Sequence, residues 1–194
     1  MNHNTGQATT VCDIELSEFL IMAEEFHGHI SPGVVTGGFL VDAAQRELGH
    51  SLYLNAVTET VVCLPDAVQL LTPCTMGNGF LQVLDWGKFA VTLYDRESLR
   101  GARAWVDLEA VAANPVVSSW FIRKPGDQKV DKDPVVQELL TYGPRLVKCR
   151  AVDMKESLKS QGKVLTAACP SCGESYPLRF GDQCLACQGR AYYL

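Results

Sequence analysis

The clearest chemical pattern lies near the carboxyl end, where ACPSCGESYPLRFGDQCLACQGRAYYL holds Cys169-x2-Cys172 and Cys184-x2-Cys187 with eleven residues between the pairs. A Cys-x-x-Cys turn sets two thiolates about one tetrahedral edge apart, and its backbone amides offset their charge. Four thiolates so spaced suit a closed, structural Zn²⁺ site. The alternatives are four free cysteines, two redox dithiols or an iron site on the same thiolates, but nothing else in the chain indicates electron transfer. A segment this short has too little apolar core to fold unaided, so its folding and metal binding are expected to be coupled. Gly173, directly after the first pair, suits the positive φ that such knuckles need.

A second pattern is FHGHISPG, residues 26–33. If this stretch is extended, His27 and His29 face the same side. Ser31-Pro32 reads as a helix N-cap followed by proline at the first helical position. A group bound beside Ser31 would then sit at a helix N-terminus, in a field that favours anions and thiolates. The plainer alternative is that His27 ends one helix, His29 meets backbone and Ser31 merely caps the next helix. Cys12 and Cys149 have no partner at metal spacing and read as idle or buried thiols, and Cys63 by itself also reads as core.

These groups need elements to hold them. Asp13 is expected to cap a helix to about Phe26, with Leu16, Phe19, Leu20 and Ala23 on one face. A second helix should run from Pro32 to Leu48, ended by Gly49. Gly37 and Gly38 weaken it by about 1 kcal/mol each, which implies close approach of another backbone. Residues 56–63 read as a strand, 64–72 as a short helix with Pro65 in its first turn, and 79–95 as a hairpin turning around Asp85–Lys88. The run ARAWVDLEA adds a neighbouring strand. Asn114-Pro115 and Asp133-Pro134 each open a short helix, with a polar loop between them. Residues 145–161 read as a strand and connector. Helices, then antiparallel-looking strands, then helices give an α+β class: an antiparallel sheet packed with helices, plus a small C-terminal zinc-ribbon or knuckle domain held by four cysteines. The expected division is a disordered tail over 1–12, an α+β domain over 13–160 and the zinc domain over 161–194.

Composition agrees with a cored protein. Of the 194 residues, 47% are hydrophobic and 20% charged, which excludes a disordered chain. No apolar run approaches the roughly 20 residues of a membrane-spanning helix. The start, MNHNTGQATT, lacks the basic and apolar regions of a secretory signal, so the expectation is a cytoplasmic protein with no membrane partner. Residues 145–194 carry a net charge of +4 and the preceding 144 carry −9. That acidic body argues against nucleic acid as its main partner.

FHGHISPG resembles the signature of the formylmethanofuran dehydrogenase E-subunit family, where the stretch usually runs FHGH-x-CPG. A second block is similar to that family's other landmark: Cys63, Asp66-Ala67, Cys74-Thr75-x-Gly77 and Asp85-Trp86-Gly87-Lys88, followed by GARAWV with Arg103. These landmarks span about residues 19–108, and members with a C-terminal zinc domain occur. The resemblance implies an α+β domain, commonly an intertwined homodimer, with a cleft able to bind a metal and a small-molecule ligand. Carried over, the cleft holds His27, His29, Cys63 and Cys74 as candidate ligands of a second transition metal, with Ser31, Asp66 and Thr75 close by as ligand-binding residues. Imidazole and thiolate suit Zn²⁺ and similar late transition metals. Two departures stand out. Ser31 replaces the usual cysteine and Phe39 stands where a basic residue is expected. A serine hydroxyl keeps the N-cap bond but is a poor ligand and, without a base, a poor nucleophile.

Three functions compete. The first is a metal-binding protein with an accessory or ligand-binding role linked to one-carbon (formyl-methanofuran) metabolism, with the other subunits of a molybdenum or tungsten oxidoreductase complex as candidate partners. No signal for a pterin, flavin or iron–sulfur cluster is visible, which favours that role over redox catalysis by this chain. The second is a stand-alone metal-dependent enzyme acting on a small molecule in a dimer cleft. The third is an interaction module that docks through its zinc domain.

Overall fold

A computed structural model describes residues 10–158 and 164–193. Two strands open the fold, β1 (Thr10–Val11) and β2 (Ile14–Glu15), paired antiparallel. The two-residue turn between them is Cys12-Asp13, with φ of 51° and 63°, the backbone twist that suits tight hairpins. Residues 10–12 therefore do not belong to a disordered tail: Val11 is wholly buried, and Cys12 N–H donates to Asp42 Oδ1 at 2.8 Å. Residues 1–9, the rest of that expected tail, lie outside the described residues. Asp13 does not cap the first helix either, because its positive φ commits it to the turn. Helix α1 (Leu16–His27) starts after Glu15 with no side-chain cap.

Helix α2 (Pro32–Leu48) is the core of the body. Eleven of its 17 residues are buried, as expected of a helix covered nearly all round. It packs on the sheet on one side and against other helices elsewhere. The glycines explain how neighbours come so close. A Cβ on Gly37 would stand 2.7 Å from Ala67 Cβ, and one on Gly38 would stand 2.6 Å from the Phe19 ring. The close approach is thus made mainly by side chains, not by another backbone as expected.

The sheet runs β4-β3-β5-β6-β7, built from β3 (Leu54–Thr58), β4 (Leu81–Val83), β5 (Ala90–Asp95), β6 (Arg100–Val106) and β7 (Val147–Asp153). All pairs are antiparallel except β3 with β4. Residues 79–95 are therefore not a hairpin. Helix α3 (Leu64–Leu71) carries the chain from β3 to a parallel β4, and β3 lies between β4 and β5. The turn that looked like a hairpin tip hangs on the end of β3 instead: Trp86 and Lys88 N–H both donate to Glu59 O. Apolar alternation marks a strand but does not name its partner. The strand expected over 56–63 also stops early, at Thr58, because the chain bends sharply toward α3.

After β6 come α4 (Leu108–Ala112), α5 (Pro115–Phe121) and α6 (Lys132–Tyr142). Asn114 caps α5 through both Val116 and Val117 N–H. Asp131, not Asp133, caps α6, which places Pro134 inside the first turn. Asp131 sits one residue before the first helical position, where a side-chain oxygen reaches the orphan amides.

Contacts divide the chain into 1–158 and 159–194. In the second unit, β8 (Thr166–Ala168) and β9 (Ser175–Pro177) form an antiparallel pair. Among the described residues, no helix is long and apolar enough to cross a membrane.

Candidate functional site

The histidine motif folds as the junction between two helices. His27 is the last residue of α1, and Gly28 takes the left-handed C-cap conformation at φ 86°. Ser31, only 2% exposed, is the N-cap of α2, and its Oγ accepts Val34 N–H at 3.1 Å. The same hydroxyl donates to Cys63 Sγ at 3.6 Å. Cys63 comes to that spot by strain. Its φ of 56° and ψ of −46°, with Leu64 N–H donating to Val62 O at 2.5 Å, make a positive-φ γ-turn, a rare and costly conformation. Such outliers cost roughly 1–3 kcal/mol and cluster at functional sites. Gly33 completes the fit, since a Cβ there would lie 2.7 Å from both Cys63 Cβ and Sγ.

The α3 helix adds the next group. Asp66 Oδ2 lies 2.6 Å from His27 Nδ1. A carboxylate on Nδ1 fixes the ring and directs Nε2 outward as donor atom or base. The His27 and His29 rings stand 5.0 Å apart. His29 Nε2 accepts from Lys132 Nζ at 3.0 Å. Desolvation, then the Lys132 ammonium and His27 hold His29 below the ordinary imidazole value, in its neutral form. Burial pushes the Cys63 thiol up, against the Ser31 hydrogen bond, while the Asp66 carboxylate adds to the rise and Lys132 opposes it. This thiol is held ready in neutral form and gains reactivity only if a cation or base takes its proton.

Cys74 and Thr75 are not brought to this junction. Cys74 is fully buried in the apolar core, with its thiol on Leu54 O at 3.4 Å and its pKa raised by burial. Thr75 closes a local turn, exchanging hydrogen bonds with Asn78. Of the four expected ligands, His27 and His29 adjoin one another and Cys63 meets Ser31, but with Asp66 they do not converge closely enough to share an ion as placed. Phe39 is buried and packs against Gly143, where a Cβ would overlap its ring; it is a core residue. Lys132 is the member that sequence reading missed. It lies 103 positions from His29, within a stretch read as polar loop, and no spacing rule connects the two.

The second centre is the cysteine cluster. The four sulfurs of Cys169, Cys172, Cys184 and Cys187 all lie within 4.8 Å of one another, with Cys172 and Cys184 Sγ at 3.8 Å. Four sulfurs at about 2.3 Å from one tetrahedral zinc stand about 3.8 Å apart, so the set fits that ion. Gly173, at φ 78°, returns its N–H to Cys169 O at 2.8 Å. Cys184 N–H points at Cys169 Sγ (3.4 Å) and Cys187 N–H at Cys184 Sγ (3.5 Å). The amides of Cys184 and Cys172 draw the Cys169 thiol down to about 6. Its neighbours Cys184 and Cys172 push Cys187 up to about 12. One thiolate is thus favoured by the turn and the last is opposed by the others, which a divalent cation would resolve. Among the described residues, this is the group of three or more such side chains close enough to share an ion.

Residues 26–156 match the family model described as FmdE, molybdenum formylmethanofuran dehydrogenase operon. This chain belongs to the FmdE family. Residues 159–194 match the FmdE treble clef zinc finger, a more specific description of the expected zinc-ribbon or knuckle domain. A crystal structure of an FmdE-like protein of the tungsten formylmethanofuran dehydrogenase type, from Syntrophus aciditrophicus, is similar over 97% of this chain and 100% of that one, with a TM-score of 0.86 and 38% identity. A curated relative from Archaeoglobus fulgidus, a probable S-adenosyl-L-methionine-binding protein, is 38% identical over 105 residues. That match covers 50% of this chain and 29% of the relative, so the matched part is under a third of the relative's length. The matched residues thus take in both the junction built on FHGHISPG and the zinc finger.

Proposed function

We propose that this FmdE protein has an accessory or ligand-binding role in one-carbon (formyl-methanofuran) metabolism, and that the junction of α1, α2 and α3 holds a second transition metal. The reading is carried by the 2.6 Å contact between His27 and Asp66, the carboxylate–imidazole pairing that orients metal-bound histidines. His27 and Cys63 would hold the ion once their side chains converge on it, since as placed they do not form such a group. His29 joins them once Lys132 gives up its Nε2. Bound there, the metal would supply a positive centre that binds and polarises a ligand oxygen or sulfur. The chain's own residues do the rest: Asp66 fixes the imidazole, Ser31 holds the thiol and Lys132 attracts an anionic ligand. Exposed Phe26, Val61 and Val62 adjoin His27 and Cys63 in sequence, and their apolar surface supports a homodimer formed across this cleft. A cytoplasmic setting and contact with molybdenum or tungsten oxidoreductase subunits belong to the same reading.

The strained Cys63 favours a second reading, a stand-alone metal-dependent enzyme acting on a small molecule in the dimer cleft. S-adenosylmethionine, named for the Archaeoglobus relative, is one compound to titrate. Cobalt distinguishes an occupied junction from an empty one. With the finger filled by zinc, added Co²⁺ should give thiolate-to-cobalt absorption that Cys63→Ser removes and His27→Ala weakens. Lys132→Ala should tighten cobalt binding by freeing His29. Absence of any such absorption in the wild-type chain would sink the metal reading.

A further inference from the structure

A cavity of about 350 Å³ shares none of the junction's polar groups and is lined by Lys88, Phe89, Arg103, Trp105, Leu108 and Phe121 among others. Its size falls in the range of small-molecule sites, which combine apolar walls with a few fixed polar groups. We propose that this cavity binds a small organic anion with a flat apolar body, its negative group held by Lys88 and Arg103. The proposal goes beyond the metal reading of the junction and stands without it.

The two cations are positioned by one residue, Glu59. Its backbone ties down the 84–90 turn: Trp86 and Lys88 N–H donate to Glu59 O, and Glu59 N–H donates to Ala90 O. Gly87, at φ 66°, lets that turn close and brings Lys88 to the cavity rim. The Glu59 carboxylate, 5% exposed as a side chain, grips Arg103 through Nε and Nη2, both at 2.7 Å. That grip raises the Arg103 pKa further and fixes the plane of the guanidinium. Among the described residues no hydrogen bond is made by Arg103 Nη1, so the N–H donors of that nitrogen remain for a ligand. Arg103 also lies 5.3 Å from the centre of the Trp105 ring, which stiffens both side chains. Lys88, in contrast, has no carboxylate partner among the described residues and rests 5.8 Å from the exposed Trp86 ring.

The apolar walls are just as firmly set. Phe89 and Phe121 meet edge to face at 5.9 Å, and Leu108 is 58% exposed at the mouth. An exposed leucine beside unused cationic donors is what an amphiphilic anion would cover: its body removes Leu108 and Phe121 surface from water, and its charge meets Lys88. A neutral apolar molecule would leave the cations unanswered, while a purely polar anion would leave the aromatic wall wet.

The test uses the full zinc-loaded chain and two matched dyes, 8-anilinonaphthalene-1-sulfonate and its neutral analogue N-phenyl-1-naphthylamine, read by energy transfer from tryptophan. The sulfonate should bind one per chain and about tenfold or more tighter than the neutral dye, the scale of one charge-assisted hydrogen bond. Lys88→Met should weaken the sulfonate by a similar factor and leave the neutral dye unchanged. Leu108→Asp puts an acid at a first-turn helix position that tolerates it and should abolish sulfonate binding. Both sites are exposed, so thermal unfolding should match wild type. Equal binding of the two dyes, sulfonate binding indifferent to Lys88→Met, or affinity that falls as protein concentration rises because a second copy fills the cavity would each overturn the proposal.

Discussion

The body and the zinc finger each contain four cysteines and put them to opposite use. In the body, Cys12, Cys63, Cys74 and Cys149 are scattered, and burial is the first cause raising each thiol's pKa. Cys12, Cys74 and Cys149 behave as small apolar side chains in a structure held by α2 and its sheet, and Cys63 stands at the strained junction. In the finger, four cysteines converge on one point, and few buried side chains surround them beyond Cys169 and Tyr176. The body has an apolar core to spare for a strained junction, while the finger's fold depends on its sulfurs. A cysteine's role thus follows from what else is available to hold the chain.

That contrast breaks most sharply when the sulfurs go. Cys169→Ser with Cys172→Ser, or zinc chelation, should unfold the finger completely, because structural zinc supplies roughly 10–16 kcal/mol of folding energy in such units. The body should not respond. All three tryptophans, Trp86, Trp105 and Trp120, precede residue 159, so tryptophan fluorescence follows the unfolding of the body, and its midpoint should stay put. Proteolysis of the finger reads the other half.

A smaller blow falls on the junction itself. Gly33→Ala forces a Cβ to within 2.7 Å of Cys63 and should destabilise the body by about 1–3 kcal/mol, as overpacking does; urea denaturation followed by tryptophan measures it. Gly28→Ala, with open space around it but a φ of 86°, should cost less, about 1 kcal/mol. Ser31→Ala removes an N-cap and the Cys63 partner together. It should cost about 1 kcal/mol and, unlike Gly33→Ala, leave Cys63 in place, so thiol labelling separates the two variants.

The gentlest effect is alkaline. Burial, and after it the Asp42 carboxylate, raise Cys12 to about 12. An acid with a raised folded pKa keeps its full stabilising effect below the unfolded thiol value of about 8.5 and loses it as pH climbs toward 12. The folded chain then holds the proton that the unfolded chain has released. Stability of the body should therefore drop by under about 1 kcal/mol between about pH 7.5 and 9. Cys12→Asn, suited to a positive-φ turn, should flatten the slope; an unchanged slope would assign it elsewhere.

Much of this was legible in the residues. The zinc ligands followed from two Cys-x-x-Cys pairs, because ligand spacing within a turn is local geometry. The Ser31 cap and the start of α2 followed from Ser-Pro. The order of the sheet was not legible, since β4's parallel pairing with β3 depends on a crossover through α3 that alternation does not encode. At the junction, family resemblance named His27, His29, Ser31, Cys63 and Asp66, whereas Cys74, in the loop after α3, turned into the core with its thiol on Leu54 O. Lys132 left no local sign, and Glu59 lay unmarked within the stretch 56–63 read as a strand. Long-range partners of charged groups are set by packing, which a one-dimensional pattern does not carry.

The most direct measurement is metal content by elemental analysis of the purified chain and of its Cys169→Ser/Cys172→Ser variant. The account predicts about two metals per full chain and about one in the variant, the survivor held at the His27–Cys63 junction. One zinc in the full chain and none in the variant would contradict it, leaving the junction as a metal-free binding site.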